Sequence, residues 1–156
     1  MPRANRIVRL AWLIYAIAWV VPVHRNGDRL PEVLPGWQAF RVAMNPVWPY
    51  DGDSSSEFSY WGLLSVASAL SNIVMVASVP IMLRGTSRQR VVLAWGAFAA
   101  VLLNAQWVIA KDWTNLRVGY YLWWASFLVV GVALLQATHA LQPESVVGAR
   151  SGPTKS

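Results

Sequence analysis

The sequence predicts an all-α membrane protein: a bundle of four transmembrane helices, with a periplasmic loop that carries a short amphipathic helix. Of its 156 residues, 56% are hydrophobic and only 13% are charged, whereas a soluble domain carries about 25% charged residues. The apolar residues also form four blocks, at residues 7–23, 61–83, 91–110 and 119–141. Each block is close to the length of about 17 to 25 residues that a helix needs to cross the hydrocarbon of a bilayer.

The chain divides into one membrane domain and a tail. Residues 1–141 are expected to form a single four-helix transmembrane domain, with residues 24–60 as its outer loop. The connections after the second and third blocks are short, which predicts that consecutive helices pack as antiparallel neighbours. Residues 142–156 are rich in Pro, Gly and Ser, a composition that predicts a disordered cytoplasmic tail.

Charged residues divide unequally between the segments that the four blocks separate. On one side, eight basic residues stand against Glu144 alone: Arg3, Arg6, Arg9, Arg84, Arg88, Arg90, Arg150 and Lys155. On the other side, five basic residues stand against six acidic ones. Because cytoplasmic loops carry the excess of Lys and Arg, this predicts a multi-pass protein with both termini in the cytoplasm. The formal charge of +6 then reflects topology, and nucleic acid is not expected as a partner.

The first block also admits a second interpretation. Basic residues followed by LAWLIYAIA, with Ala16 and Ala18 at small-residue positions, fit a cleaved signal peptide. Apolar sequence continues from Trp19 to Val23, long enough to span, which favours an uncleaved helix. Cleavage would leave three spans.

The outer loop contains a short helical pattern in the stretch LPGWQAFRVAMNP. Proline suits a first helical turn, so a helix is expected from Pro35. Trp37, Phe40 and Met44 then fall on one face of this helix, while Arg41 lies elsewhere. An apolar face of this kind predicts a lid that lies flat on the membrane surface or on the bundle.

Uncharged polar and small residues within the second and third blocks predict helix contacts. Gly96, Ala100 and Asn104 recur at steps of four, a stripe that lets helix backbones approach closely. Asn72, which follows Ser68 in the second block, lies at a depth similar to that of Asn104. We expect the two amides to face inward and bond to each other or to a shared partner, since an unpaired amide in hydrocarbon is costly. The alternative is a polar path for a substrate.

Aromatic residues concentrate toward the outer ends of the predicted spans. Trp and Tyr favour the headgroup region, so an outer aromatic belt is expected. Its main members are Trp19, Trp61, Trp113, Tyr120, Trp123 and Trp124. A sharper alternative is a pocket for a lipid, a quinone or a polyprenyl headgroup, roofed by the loop helix.

Neither catalytic nor metal chemistry is indicated by the ionisable residues. No acidic residue or lysine lies inside the four blocks, and the two histidines, His24 and His139, fall at opposite faces of the bilayer. The chain has no cysteine, so neither a disulfide nor a thiol relay is expected. The cluster Asp51, Asp53 and Glu57 lacks the full spacing of a calcium loop and predicts at most weak divalent binding. No metal, cofactor or catalytic residue is predicted.

Two motifs carry a resemblance. LPGWQAF in the outer loop and GYYLWWASFLVV at the start of the last block resemble a pattern in small four-pass bacterial inner-membrane proteins of unassigned function. The resemblance implies the four-span architecture and a bacterial inner membrane, and it implies no catalytic residues.

Together these features predict a non-enzymatic protein: an accessory, scaffold or lipid-facing subunit of a membrane assembly. Its expected partners are membrane lipids, with another membrane protein or a second copy of the chain as a further partner. The alternative function is a small transporter or channel subunit with a polar path along the second and third helices.

Overall fold

The computed structural model describes residues 2–25, 33–49, 59–109 and 115–139. Within these residues the chain is mostly helical. The helices are α1 (Pro2–Val20), α2 (Gly36–Ala43), α3 (Tyr60–Leu70), α4 (Asn72–Arg84), α5 (Ser87–Ile109) and α6 (Val118–His139). Two short strands, β1 (Pro22–His24) and β2 (Leu34–Pro35), pair antiparallel before α2.

Three helices are long and apolar enough to cross a membrane: Tyr60–Arg84, which combines α3 and α4, then Ser87–Ile109 and Val118–His139. The chain is therefore a membrane protein with three candidate spans, where the sequence predicts four. The remaining long helix, α1, has 19 residues, but Arg6 and Arg9 lie in its first half and lower its hydropathy.

The core lies along α6, which packs between α1 and α5. The first helix contributes a stripe of mostly small buried residues at steps of three and four: Ala4, Val8, Ala11, Tyr15 and Ala18. The sixth contributes Phe127, Val130 and Leu134, all fully buried. On its other side, a Cβ added at Gly131 would lie 2.9 Å from the ring of Phe98 on α5, so glycine lets these two helices approach closely.

The second predicted span is interrupted at Ser71, between α3 and α4. The Ser71 hydroxyl donates to the carbonyl oxygen of Ser68 at 2.6 Å, and the Asn72 amide nitrogen donates to that of Ala69 at 2.7 Å. Side chains that bond to nearby carbonyls compete with the backbone N–H groups of the helix. The Ser71 N–H is accordingly shared between the carbonyls of Ala67 and Ser68, and the helix is irregular at this point.

The α4–α5 connection is held by capping contacts. The side chains of Thr86 and Gln89 each accept a hydrogen bond from the other residue's backbone N–H, at 3.3 and 2.8 Å, which is the arrangement of a capping box. Arg90 is buried, and its guanidinium donates to the carbonyl oxygens of Ile81 (3.5 Å) and Met82 (3.2 Å). Arg90 thus supplies a donor to the Met82 carbonyl in the last turn of α4, where helix carbonyls lack helical partners, while the Ile81 carbonyl also accepts from the Gly85 N–H at 2.8 Å.

The first predicted span, at about residues 7–23, corresponds to α1, which begins at Pro2 and ends at Val20. Proline disfavours helical geometry in the residue before it and donates no N–H itself, so Pro22 ends the helix. The chain instead enters β1, whose Val23 carbonyl accepts from the Arg117 N–H at 2.8 Å. His24 also forms an isolated bridge with Leu116. These contacts tie the end of α1 to the start of α6.

Candidate functional site

The helix α2 packs against the end of α1. A Cβ added at Gly36 would lie 2.7 Å from Trp19 Cα, so the absence of a side chain allows the two backbones to approach. One turn later, the Phe40 ring lies 5.4 Å from the Trp19 ring, centroid to centroid. The helix is therefore docked on the bundle through Gly36 and Phe40.

This docking corrects the predicted lid face of Trp37, Phe40 and Met44. Phe40 packs inward, but Trp37 is 54% exposed, and Met44 lies just after the helix as its C-terminal cap. The physical reason is the close approach at Gly36. Because this residue faces α1, the next residue, Trp37, points outward. A pattern of large apolar residues alone could not reveal this, because the contact is made by the smallest residue.

Arg41 holds the segment that follows α2. Its guanidinium donates to the carbonyl oxygens of Trp48 and Pro49, the latter at 3.1 Å. It also lies 4.3 Å from the centroid of the Trp48 ring, within the range of a cation–π contact. Arg41, which the sequence placed off the packed face of α2, thus holds the turn that follows this helix.

Beneath α2 lies a cavity with a volume of about 350 Å³. It lies at the end of the bundle where β1, β2 and α2 are found, which we call the loop end. Its walls are mostly apolar and aromatic, with contributions from Trp19, Phe40, Trp107, Tyr120 and Trp123. Polar side chains that reach it are His24, Ser65, Ser68 and Asn72. A mostly apolar cavity with a few polar groups has the general character of a ligand site.

Asn104 lies at the centre of a hydrogen-bond network below this cavity. Its side chain is completely buried, and its Oδ1 accepts from the Ser68 hydroxyl. Its Nδ2 donates to the carbonyl oxygen of Ala100 at 2.7 Å and to the Ser71 hydroxyl at 3.3 Å. The hydroxyl of Tyr120 donates to the backbone carbonyl of Asn104. The network therefore joins α3, α5 and α6.

Asn72 belongs to a second network. Its Oδ1 accepts from the Tyr15 hydroxyl at 2.7 Å and from the Trp123 indole N–H at 2.9 Å. This amide joins α4 to α1 and α6. The predicted bond or shared partner between Asn72 and Asn104 is therefore wrong: they bond to different side chains. Helix rotation decides this outcome, since it points neighbouring positions of α3 and α4 toward different helices.

The predicted small-residue stripe lies in two environments. Ala100 and Asn104 are buried, but Gly96 is only partly buried. A Cβ added at Gly96 would meet its nearest neighbour, Val74, at 3.7 Å, an ordinary van der Waals distance. The close approach that the sequence placed at Gly96 occurs at Gly131 of α6 instead.

The predicted aromatic belt is only partly at the surface. Trp61 is 54% exposed, and Trp113 lies outside the described residues. Three aromatic residues of α6 point their polar atoms into the bundle: Tyr120 and Trp123 in the networks above, and Trp124, whose indole N–H donates to the Val101 carbonyl at 2.8 Å. Because α6 is the central helix, aromatic residues that would form a belt on a peripheral helix become part of the core.

The remaining candidates carry no described site. Among the described residues, no group of His, Cys, Asp or Glu could hold a metal ion. His24 reaches the cavity, while His139 lies at the opposite end of α6. The acidic cluster Asp51, Asp53 and Glu57, the tail and the proposed cleavage products of the leader fall outside what the structure describes or tests.

Comparison with protein-family models, with curated proteins and with solved structures gives no match. The resemblance to small four-pass bacterial inner-membrane proteins therefore stays a prediction.

Proposed function

We propose that this chain is a four-span protein of a bacterial inner membrane that holds a lipid-like molecule in the cavity beneath α2. In this role it acts without catalysis, as a lipid-facing accessory subunit of a membrane assembly. The observation that supports the proposal is the cavity itself: about 350 Å³ of mostly apolar space, roofed by a helix that is docked through Gly36 and Phe40. Partly apolar cavities of this size suit small or chain-like ligands.

The fourth span of the proposal is α1. The start of α6 lies beside the end of α1. Farther from these two ends, Tyr15 of α1 packs edge-on against Phe127 of α6, so the two helices run antiparallel. Its 19 residues correspond to about 28 Å of helix. Its outward residues are apolar and exposed: Leu10, Leu13, Ile17 and Val20. An apolar exposed stripe on a helix of this length is suited to hydrocarbon.

The distribution of arginine supports the proposed orientation. Hydrogen bonds from Trp12 to Ser78 and from Tyr15 to Asn72 set α1 antiparallel to α4, so the start of α1 lies near the end of α4. This arrangement brings exposed arginines together at one end of the bundle, which we call the arginine end: Arg6, Arg9, Arg84 and Arg88. The arginine end is opposite the loop end. The excess of basic residues assigns it to the cytoplasm and the cavity to the periplasmic side.

The proposed ligand follows from the cavity walls and from what surrounds them. The rings of Trp19, Trp107 and Trp123 offer contact to acyl or isoprenoid chains, which gain free energy when they leave water. Lipid is also the partner that the exposed apolar residues of every long helix would meet. These same surfaces leave room for another membrane protein or a second copy of the chain as the assembly partner.

The transporter alternative has less support. Its polar path would run along Ser68, Ser71 and Asn104, but their hydroxyl and amide protons are all engaged in hydrogen bonds within the bundle. Asn104 has no exposed surface. A path along these residues would require the network to open.

The proposal is tested by filling the cavity. Ala39 lies on the cavity wall, so Ala39→Phe would place a ring in the space of the ligand, whereas Ala99→Phe adds the same ring at an exposed position of α5. Each protein would be purified in mild detergent and analysed by native mass spectrometry. We expect a stoichiometric lipid with the wild type and with Ala99→Phe, and its loss with Ala39→Phe. Equal lipid content in all three proteins, or no bound lipid in any, would contradict the proposal.

A further inference from the structure

We infer that the cavity is selective for a neutral lipid alcohol, whose hydroxyl group donates a hydrogen bond to the Ser68 oxygen. This inference rests on the proposed function and adds the chemical class of the ligand. It follows from the hydrogen-bond donors and acceptors that the serine, tyrosine and asparagine side chains of the cavity wall still have to offer.

The orientation of the Asn104 amide decides the role of Ser68. The amide group near the Ala100 carbonyl, at 2.7 Å, must be the NH₂ end, since a carbonyl oxygen only accepts. The Oδ1 atom therefore faces Ser68, and the single proton of the Ser68 hydroxyl is committed to it. What Ser68 presents to the cavity is an oxygen with a free lone pair.

Two further hydroxyl groups on the cavity wall also donate their protons to acceptors within the protein. The Tyr120 hydroxyl donates its proton to the carbonyl oxygen of Asn104. The Ser65 hydroxyl donates to the Trp61 carbonyl at 2.9 Å. The three hydroxyl groups that line the cavity can therefore act only as acceptors while these bonds persist, so they favour a ligand group that donates.

Asn72 supplies the complementary group. Its Oδ1 is occupied by the Tyr15 hydroxyl and the Trp123 indole, and one of its two N–H bonds points to the Ala69 carbonyl. The second N–H remains as a donor at the cavity wall. Ser68 and Asn72 are four residues apart, and both line the cavity. A ligand hydroxyl, which donates once and accepts as well, suits this pair of groups.

Charge argues against an anionic head. Of the described residues that line the cavity, none is Lys or Arg, and the histidine among them, His24, already has an interaction partner within the protein, whereas phosphate and carboxylate groups are held in proteins by cationic or multiple N–H donors. A quinone carbonyl accepts only and leaves the three hydroxyl oxygens without a donor. A diacylglycerol or a polyprenol has an apolar body and a single neutral hydroxyl, which matches both the walls and the polar groups.

The test compares three ligands with one skeleton: 1,2-dioctanoylglycerol, its 3-O-methyl ether and dioctanoyl phosphatidic acid. Binding to the full-length protein in nanodiscs would be measured through the fluorescence of the tryptophans on the cavity wall. We expect the alcohol to bind about three- to tenfold more tightly than the ether, the effect of one hydrogen bond. Ser68→Ala should remove most of this advantage, and Ser126→Ala, a buried serine outside the cavity wall, should preserve it.

Since Ser68→Ala also removes a partner of Asn104, Ser65→Ala provides a second variant in a less buried position, and it should reduce the preference in part. Equal binding of the alcohol and the ether, with both blocked by Ala39→Phe, would overturn the inference and retain the proposed function. Tighter binding of phosphatidic acid would likewise overturn it in favour of an anionic head. If none of the three ligands binds to the wild type, and Ala39→Phe changes nothing, the proposed function itself is refuted.

Discussion

At the scale of single residues, Asn104 joins three helices through one buried amide and its backbone carbonyl. Its amide bonds to Ser68, Ser71 and Ala100, and its backbone carbonyl accepts from Tyr120. Each interhelical bond of this kind is worth only about 0.6 kcal/mol in a membrane. Their joint effect is positional: they hold the Ser68 oxygen and the Tyr120 ring at the cavity in fixed orientations.

The two asparagine networks predict distinct couplings. A double-mutant cycle of Ser68→Ala with Asn104→Ala should be non-additive by about 0.5 kcal/mol or more, because the two side chains share a bond. The cycle of Asn72→Ala with Asn104→Ala should be additive within about 0.3 to 0.5 kcal/mol, because they bond to different partners. Unfolding in mixed detergent micelles measures both. A coupling between the two asparagines as large as that of Ser68 with Asn104 would mean that the networks are one.

Arg90 permits a second prediction at this scale. Arg90→Met keeps much of the side-chain volume but leaves the Met82 carbonyl without the donor that Arg90 supplies, while the Ile81 carbonyl keeps the Gly85 N–H. A buried polar group that loses its partner costs about 1 to 3 kcal/mol, so a loss of this size is expected in the free energy of unfolding. Arg88→Met, at an exposed position nearby, should change it by less than about 0.5 kcal/mol. Equal effects of the two substitutions would contradict a capping role for Arg90.

At the scale of elements, the sequence predicts the positions of helices better than their rotations. The third and fourth apolar blocks, residues 91–110 and 119–141, coincide closely with α5 and α6, because block length follows from the thickness of hydrocarbon. The short helix α2 lies where Pro35 predicts it. Its packed face differs, because the close approach of Gly36 to α1 is a tertiary contact that no local pattern contains.

The candidate site shows the same limit. The sequence left open, as an alternative, a pocket roofed by the loop helix. It also predicted that Ser68 and Asn104 make polar contacts between helices. The partners of Asn72, however, are Tyr15 on α1 and Trp123 on α6, more than fifty residues away in either direction. Which aromatic ring turns its polar atom inward depends on α6 being central, and this property belongs to the assembled bundle.

The docking of α2 gives a prediction for this element. Phe40→Ala removes a ring that packs on Trp19, and a loss of about 1 to 3 kcal/mol is expected for a partly buried aromatic side chain. Trp37→Ala removes a larger ring that is 54% exposed, and its effect should be smaller than that of Phe40→Ala. Thermal unfolding of the two variants in the same detergent decides between the faces. A larger effect of Trp37→Ala would restore the packed face that the sequence predicted.

At the scale of the whole molecule, the arginine end and the loop end give the bundle a direction. Exposed Arg6, Arg9, Arg84 and Arg88 mark one end, and the cavity lies at the other. If the arginine end is cytoplasmic, a ligand reaches the cavity from the outer leaflet or the periplasm. The orientation of the chain therefore decides which lipids and which proteins the proposed site could meet.

This orientation can be tested by labelling, because the chain has no native cysteine. Asn5→Cys lies near the start of α1, while Ser55→Cys falls in the predicted outer loop and Ser151→Cys in the predicted tail. With a membrane-impermeant maleimide on intact cells whose outer membrane has been opened, we expect labelling of Ser55→Cys alone, since the spanning of α1 places residue 5 inside. Breaking the inner membrane should expose the other two.

Labelling of Asn5→Cys from outside would mean that α1 does not cross the membrane, and an intact mass without the residues up to Ala18 would mean that the leader is cleaved. With Ser151→Cys still protected, either result would leave the three-span arrangement of Tyr60–Arg84, Ser87–Ile109 and Val118–His139.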